Sequence, residues 1–167
     1  MNIQGGMKYM NRKVRRSVFE TNSSSTHSFT YGGAYNNLEV DEFDNCVHTY
    51  LSKFGWEVHD YFDSKAKLDY ILLAAANFTD HSFWYYDSFE EELASFKETE
   101  EFQRIEEAVK SVMNCDGIVI EDRAEGYIDH QSLEYSSFYE WLDDTYADSV
   151  EDFIFGGVVL HTDNDNH

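Results

Sequence analysis

Proline is absent from the 167 residues, and there are only two cysteines, Cys46 and Cys115. Without proline no turn can be ring-locked, so chain reversals must rest on Gly, Asn, Asp and Ser. Two thiols far apart in sequence exclude a disulfide-dense scaffold and fit free cysteines in a reducing cytoplasm. No apolar run approaches the roughly 18 residues of a membrane span, and no basic leader with an apolar stretch suggests export. Basic residues are also scarce: 12 Lys and Arg stand against 33 Asp and Glu, a formal net charge of −21.

What is present is an acidic chain rich in rings. Aromatics make up 17%, with 13 Phe, 12 Tyr and 3 Trp. Disordered acidic chains are poor in such residues, so this one is expected to bury a core. Length favours one domain. Five of the bases, Lys8, Arg12, Lys13, Arg15 and Arg16, precede every acid. Residues 1–12 are therefore expected to be a flexible leader, with the native start at Met7 or Met10, and residues 13–167 a single acidic α+β domain.

The remaining pattern supports that class. Residues 14–20 and 28–31 are β-branched and aromatic and predict strands, with the polar bend Asn22-Ser23-Ser24-Ser25 between them. In residues 41–54, Phe43, Val47, Tyr50 and Leu51 fit either one helix face or a strand. Leu68, Ile71, Leu72 and Ala75 recur at helical spacing and predict a helix over 64–77 capped by Ser64. Ser88 with Glu91 forms a capping box, and the apolar spacing from Phe89 to Val112 predicts one long helix or two broken near Thr99. Gly117-Ile118-Val119-Ile120 predicts a central strand with residues 126–129 as its neighbour. Residues 136–146 predict a helix, and 157–161 a last strand. The expected architecture is a mixed or antiparallel sheet with several packed helices.

A charge of this size exceeds the magnitude of about 2–8 that keeps a small domain dispersed, and it opposes compaction. Attraction to a basic surface is its most economical use. The carboxylates expected to meet such a surface are Glu90, Glu91, Glu98, Glu101, Glu106, Glu107, Asp143 and Asp144. A solvated helix face is the plainer alternative. Among metal donors, His27, His130 and His161 could gather with Asp129 or Asp163 around zinc, and Cys46-Val47-His48 offers a further pair. None of these has the close spacing that identifies a metal site by sequence. Gly32-Gly33 and Gly156-Gly157 are lone pairs, not a phosphate-cradling loop.

The string Phe19-Glu20-Thr21-Asn22-Ser23-Ser24-Ser25-Thr26-His27-Ser28 resembles the opening of a family of small proteins from phages and mobile elements of Gram-positive bacteria. Arg15-Arg16, Ile128-Asp129-His130-Gln131-Ser132 and Asp163-Asn164-Asp165 resemble the same family. Small acidic phage proteins include inhibitors of type II-A CRISPR systems. The resemblance, with the charge, implies a non-catalytic inhibitor in the bacterial cytoplasm. Its partner would be the basic surface of a type II effector nuclease, with neither nucleic acid nor membrane bound directly. Two alternatives stay open. Ser24-Ser25-Thr26 before His27 resembles the strand motif of ADP-ribosyltransferases, although Glu121 and Glu125 lack the late Glu-x-Glu spacing. The other is a phage regulatory protein with a different partner.

Overall fold

A computed structural model describes residues 25–54, 57–83, 89–121, 126–128 and 133–164. Its centre is helix α1 (Ser64–Phe78), free of Gly and β-branched runs and rich in Ala and Leu. Every residue from Ala66 to Ala76 is buried, so the helix is enclosed on all sides instead of lying amphipathically on a surface. Its cap is Asp63, not Ser64. Asp63 has the extended backbone an N-cap needs, and its carboxylate accepts from the Ala66 amide at 2.9 Å. Ser64 is buried inside the first turn. At the other end the Thr79 hydroxyl donates to the Ala75 carbonyl at 2.8 Å.

Strand β1 (Ser25–Tyr31) runs antiparallel to β7 (Val158–Asn164), in register from Ser25↔Asn164 to Tyr31↔Val158. Strand β4 (His59–Tyr61) pairs with the other side of β7, giving the order β1-β7-β4. Two short parallel pairs complete the strands: β2 (Cys46–Thr49) with β5 (Gly117–Ile120), and β3 (Lys53–Phe54) with β6 (Tyr127–Ile128). The expected pairing of β5 with the strand after it does not form. Parallel partners require a long crossover, and the helices between β2 and β5 supply one. The architecture is thus α+β in a single domain, with antiparallel and parallel pairings together.

The helical run from Phe89 is broken where the spacing allowed. Helix α2 (Phe89–Lys97) ends before Thr99, and Thr99 caps α3 (Glu100–Met113) by accepting from the Phe102 amide at 3.2 Å. The expected helix over 136–146 contracts to α4 (Phe138–Asp143), capped by Ser137. Helix α5 (Val150–Phe155), capped by Ser149, was not anticipated. The strand predicted at 14–20, most of the Asn22–Ser25 bend, the Ser88 cap and the leader lie outside the described residues.

Many of the aromatics meet in one cluster around Trp141, and Phe83, Phe89, Phe96 and Phe102 form a second. The Trp141 ring is fully buried and lies 5.4 Å from Phe153, 5.6 Å from Phe138 and 6.1 Å from Tyr70, centroid to centroid. Phe29 of β1 meets Tyr70, Trp141 and Phe153 edge-on, an arrangement that the ring quadrupoles favour. This cluster ties the three-stranded sheet to α1, α4 and α5.

Candidate functional site: an acidic surface and a pinned turn

Among the described residues, eighteen acids are exposed against five bases, Lys53, Lys65, Lys97, Arg104 and Lys110. The negative charge is therefore outward, where solvent or a partner meets it. Of the carboxylates singled out by sequence, Glu90, Glu91, Glu98, Glu107 and Asp143 are exposed, while Glu101, Glu106 and Asp144 are half-buried. Two of these already have structural work. The Glu106 carboxylate accepts from the Ile118 amide at 3.2 Å, and a methyl group on Gly117 would meet its oxygen at 2.6 Å. Asp144 accepts from the Tyr135 hydroxyl at 2.8 Å. The helices do not present an unbroken carboxylate row. Arg104 stands one turn from both Glu100 and Glu107, with its guanidinium 3.2 Å from Glu100 and over the Tyr139 ring at 5.5 Å. Lys110 stands one turn from Glu107, and Lys97 beside Glu98.

Acids free of nearby bases in sequence lie in two other places: residues 124–167, which carry no Lys or Arg and expose Glu134, Glu140, Asp143, Asp148 and Glu151, and the segment that enters β2. No Lys or Arg occurs from residue 17 to residue 52. Here Glu39, Asp41, Glu42 and Asp44 are exposed, joined by Asp116 at the start of β5. The turn is tightly hydrogen-bonded. Asp41 accepts from the Phe43 amide through its side chain at 2.8 Å and from the Asn45 amide through its backbone at 2.9 Å. The Asp44 carboxylate accepts from the Cys46 amide at 3.0 Å. Asn45 takes the left-handed conformation that Asn tolerates, with φ 55°, and its carbonyl accepts from the Asp116 amide at 2.8 Å.

His48, one turn of chain later, holds the cluster together. Its Nε2 is 2.7 Å from Asp44 Oδ2, and its Nδ1 contacts Glu121. A neutral imidazole has only one N–H, so two carboxylates on its two nitrogens favour the doubly protonated ring. Glu121 first and Asp44 second raise the His48 pKa above the ordinary 6.5, against the opposing effect of its slight burial. At Asp44, slight burial pushes upward, but the His48 and Cys46 hydrogen bonds outweigh it and leave the carboxyl below its ordinary value. Because the folded-state pKa of His48 is raised, its stabilising contribution is complete below pH 6.5 and is lost as pH rises through the raised value. An NMR titration of the His48 ring is expected to give a midpoint above 6.5, and Glu121→Gln is expected to bring it down. An unchanged midpoint in the variant would refute the coupling.

Asp41, Asp44 and His48 each offer one ligand atom, all within 4.8 Å of one another. Two carboxylate oxygens and one imidazole nitrogen are donors zinc accepts. Glu121 on the second ring nitrogen is the kind of outer partner that ligating histidines have. The expected zinc set is not assembled this way. His27 and His161 face opposite sides of the β1-β7 pair, because the register places His27 across from Thr162 and His161 across from Ser28. His27 is buried, with Nδ1 2.8 Å from the Tyr70 hydroxyl. His161 is half-exposed and contacts Asp60 of β4. His130 lies outside the described residues. The Asp41/Asp44/His48 group was foreshadowed only by the Cys46-Val47-His48 pair, since residues 41 and 44 reach His48 through a turn that apolar periodicity did not reveal.

No described helix is long and apolar enough to cross a membrane. No family model, no curated protein and no solved structure matches this chain.

Proposed function

We propose that the protein is a non-catalytic acidic inhibitor of an RNA-guided type II CRISPR nuclease, acting in the bacterial cytoplasm. It docks on a basic surface of the effector and blocks guide or target nucleic-acid binding. The observation that supports this reading is the excess of exposed acids over exposed bases among the described residues, eighteen against five. Effectors of this type hold their heteroduplex in a positively charged channel, a surface suited to such a ligand. The exposed Glu90, Glu91, Glu98, Glu107 and Asp143 and the carboxylates at residues 39–44 supply the long-range attraction. Glu101, Glu106 and Asp144 contribute less, because they are partly withdrawn from solvent and two of them are already hydrogen-bonded.

The test is association with an immobilised type II effector, with and without its guide RNA. A variant combining Glu90→Lys, Glu91→Lys, Glu98→Lys and Glu107→Lys is expected to associate about tenfold more slowly at low salt, because steering acts on the on-rate. Raising salt is expected to slow the native protein toward the variant as the Debye length shrinks below about 10 Å. Binding indifferent to both changes rejects the mechanism. Failure of the native protein to bind any effector form points to another basic partner, and consumption of nicotinamide dinucleotide by the purified protein would favour the enzymatic alternative.

A further inference from the structure

We infer that Phe43 is the apolar anchor of the docking, entering a pocket on the partner that is lined by apolar groups and rimmed by Lys and Arg; this rests on the reading that the partner surface is basic. Phe43 is 100% exposed, whereas the next most exposed large apolar side chain among the described residues, Tyr50, stands at 67%. A phenyl ring wholly in water adds nothing to the core. Its backbone is nevertheless held on both sides, by the Asp41 side chain on its own amide and by the Asp44–Cys46 and Asn45–Asp116 hydrogen bonds just beyond. A ring with two rotatable bonds on a fixed turn loses little freedom when it docks. Its flanks are Asp41, Glu42 and Asp44, all exposed, with no Lys or Arg in the segment. This charge complements a basic rim and repels a second copy of the chain, which presents the same carboxylates.

The test compares two probes by amide chemical-shift mapping on the full chain: an amphipathic helical peptide of Lys and Leu, and an oligolysine of equal charge. The Lys/Leu peptide is expected to bind more tightly and to shift the amides of residues 41–46 and 116 most. Phe43→Ser is expected to weaken that peptide about tenfold while leaving oligolysine unchanged, and Phe43→Trp to retain it. If both peptides bind alike, whatever stands at position 43, the anchor is overturned and the basic-surface reading survives. If neither binds, both fall together.

Discussion

Replacing Trp141 with alanine is expected to cost about 4 kcal/mol of folding stability, within the range for deleting a large buried ring. The ring is fully buried and in contact with Phe29, Tyr70, Phe78, Phe138 and Phe153. Alanine would leave a cavity bordered by four elements, β1, α1, α4 and α5, that cannot all collapse into it. Trp141→Phe is expected to cost about 1 kcal/mol or less. It keeps most of the ring contacts and deletes the indole N–H, which is buried without a hydrogen-bond partner; leaving such a donor unsatisfied costs about 1–3 kcal/mol. Urea unfolding of the two variants checks this. Equal losses would mean that the indole nitrogen is satisfied in solution, by a water molecule for example.

Stability is expected to rise between pH 8 and 10 and to fall above pH 10. Lys67 is fully buried, with Nζ donating to the Gly156 carbonyl at 2.7 Å. Burial lowers its pKa from 10.5 to about 8, against the opposing pull of Asp152 and Asp63. Between those values the unfolded chain holds a proton that the folded chain lacks, so stability increases with pH, by at most about 3 kcal/mol at 1.36 kcal/mol per pH unit. Tyr61 acts in the other direction. Burial first, and Glu57 second, push its hydroxyl from 10.0 up to about 12. From pH 10 to 12 the folded chain keeps a proton that the unfolded chain loses, and stability declines. Lys67→Met is expected to remove the rising limb and leave the falling one. A native profile flat from pH 8 to 10 would show that Lys67 remains charged at no cost, through closer pairing with Asp152.

Much of the architecture was legible from local pattern. The Leu68–Ala75 spacing locates α1, Thr99 marks the break between α2 and α3, and both strands of the β1-β7 pair appear as short β-branched or aromatic runs. Helix α5 escaped because six residues give too little periodicity, and its Ser149 cap resembles any turn serine. The cap of α1 is ambiguous in sequence because Asp and Ser are both good caps, and only the backbone angle at Asp63 separates them. The pairing of β6 with β3 is not legible locally, because a parallel pair is chosen by what lies between the strands, which neighbouring residues do not encode.

Phe43 shows the limit most clearly. Its spacing to Val47 and Leu51 fits one helix face and would turn the ring inward with them. Asn45 breaks that course with a positive φ, β2 begins at Cys46, and Val47 and Leu51 are buried while Phe43 is left in solvent.

The chain by itself determined the sign and size of its charge, the presence of a ring-rich core and the positions of its longer helices, because these depend on composition and on contacts between near neighbours. Which acids stand free, which histidine meets which carboxylate and which aromatic is withheld from the core were decided only in three dimensions. Burial and cross-strand register join residues such as His48 and Glu121, 73 positions apart, and no local periodicity carries that information.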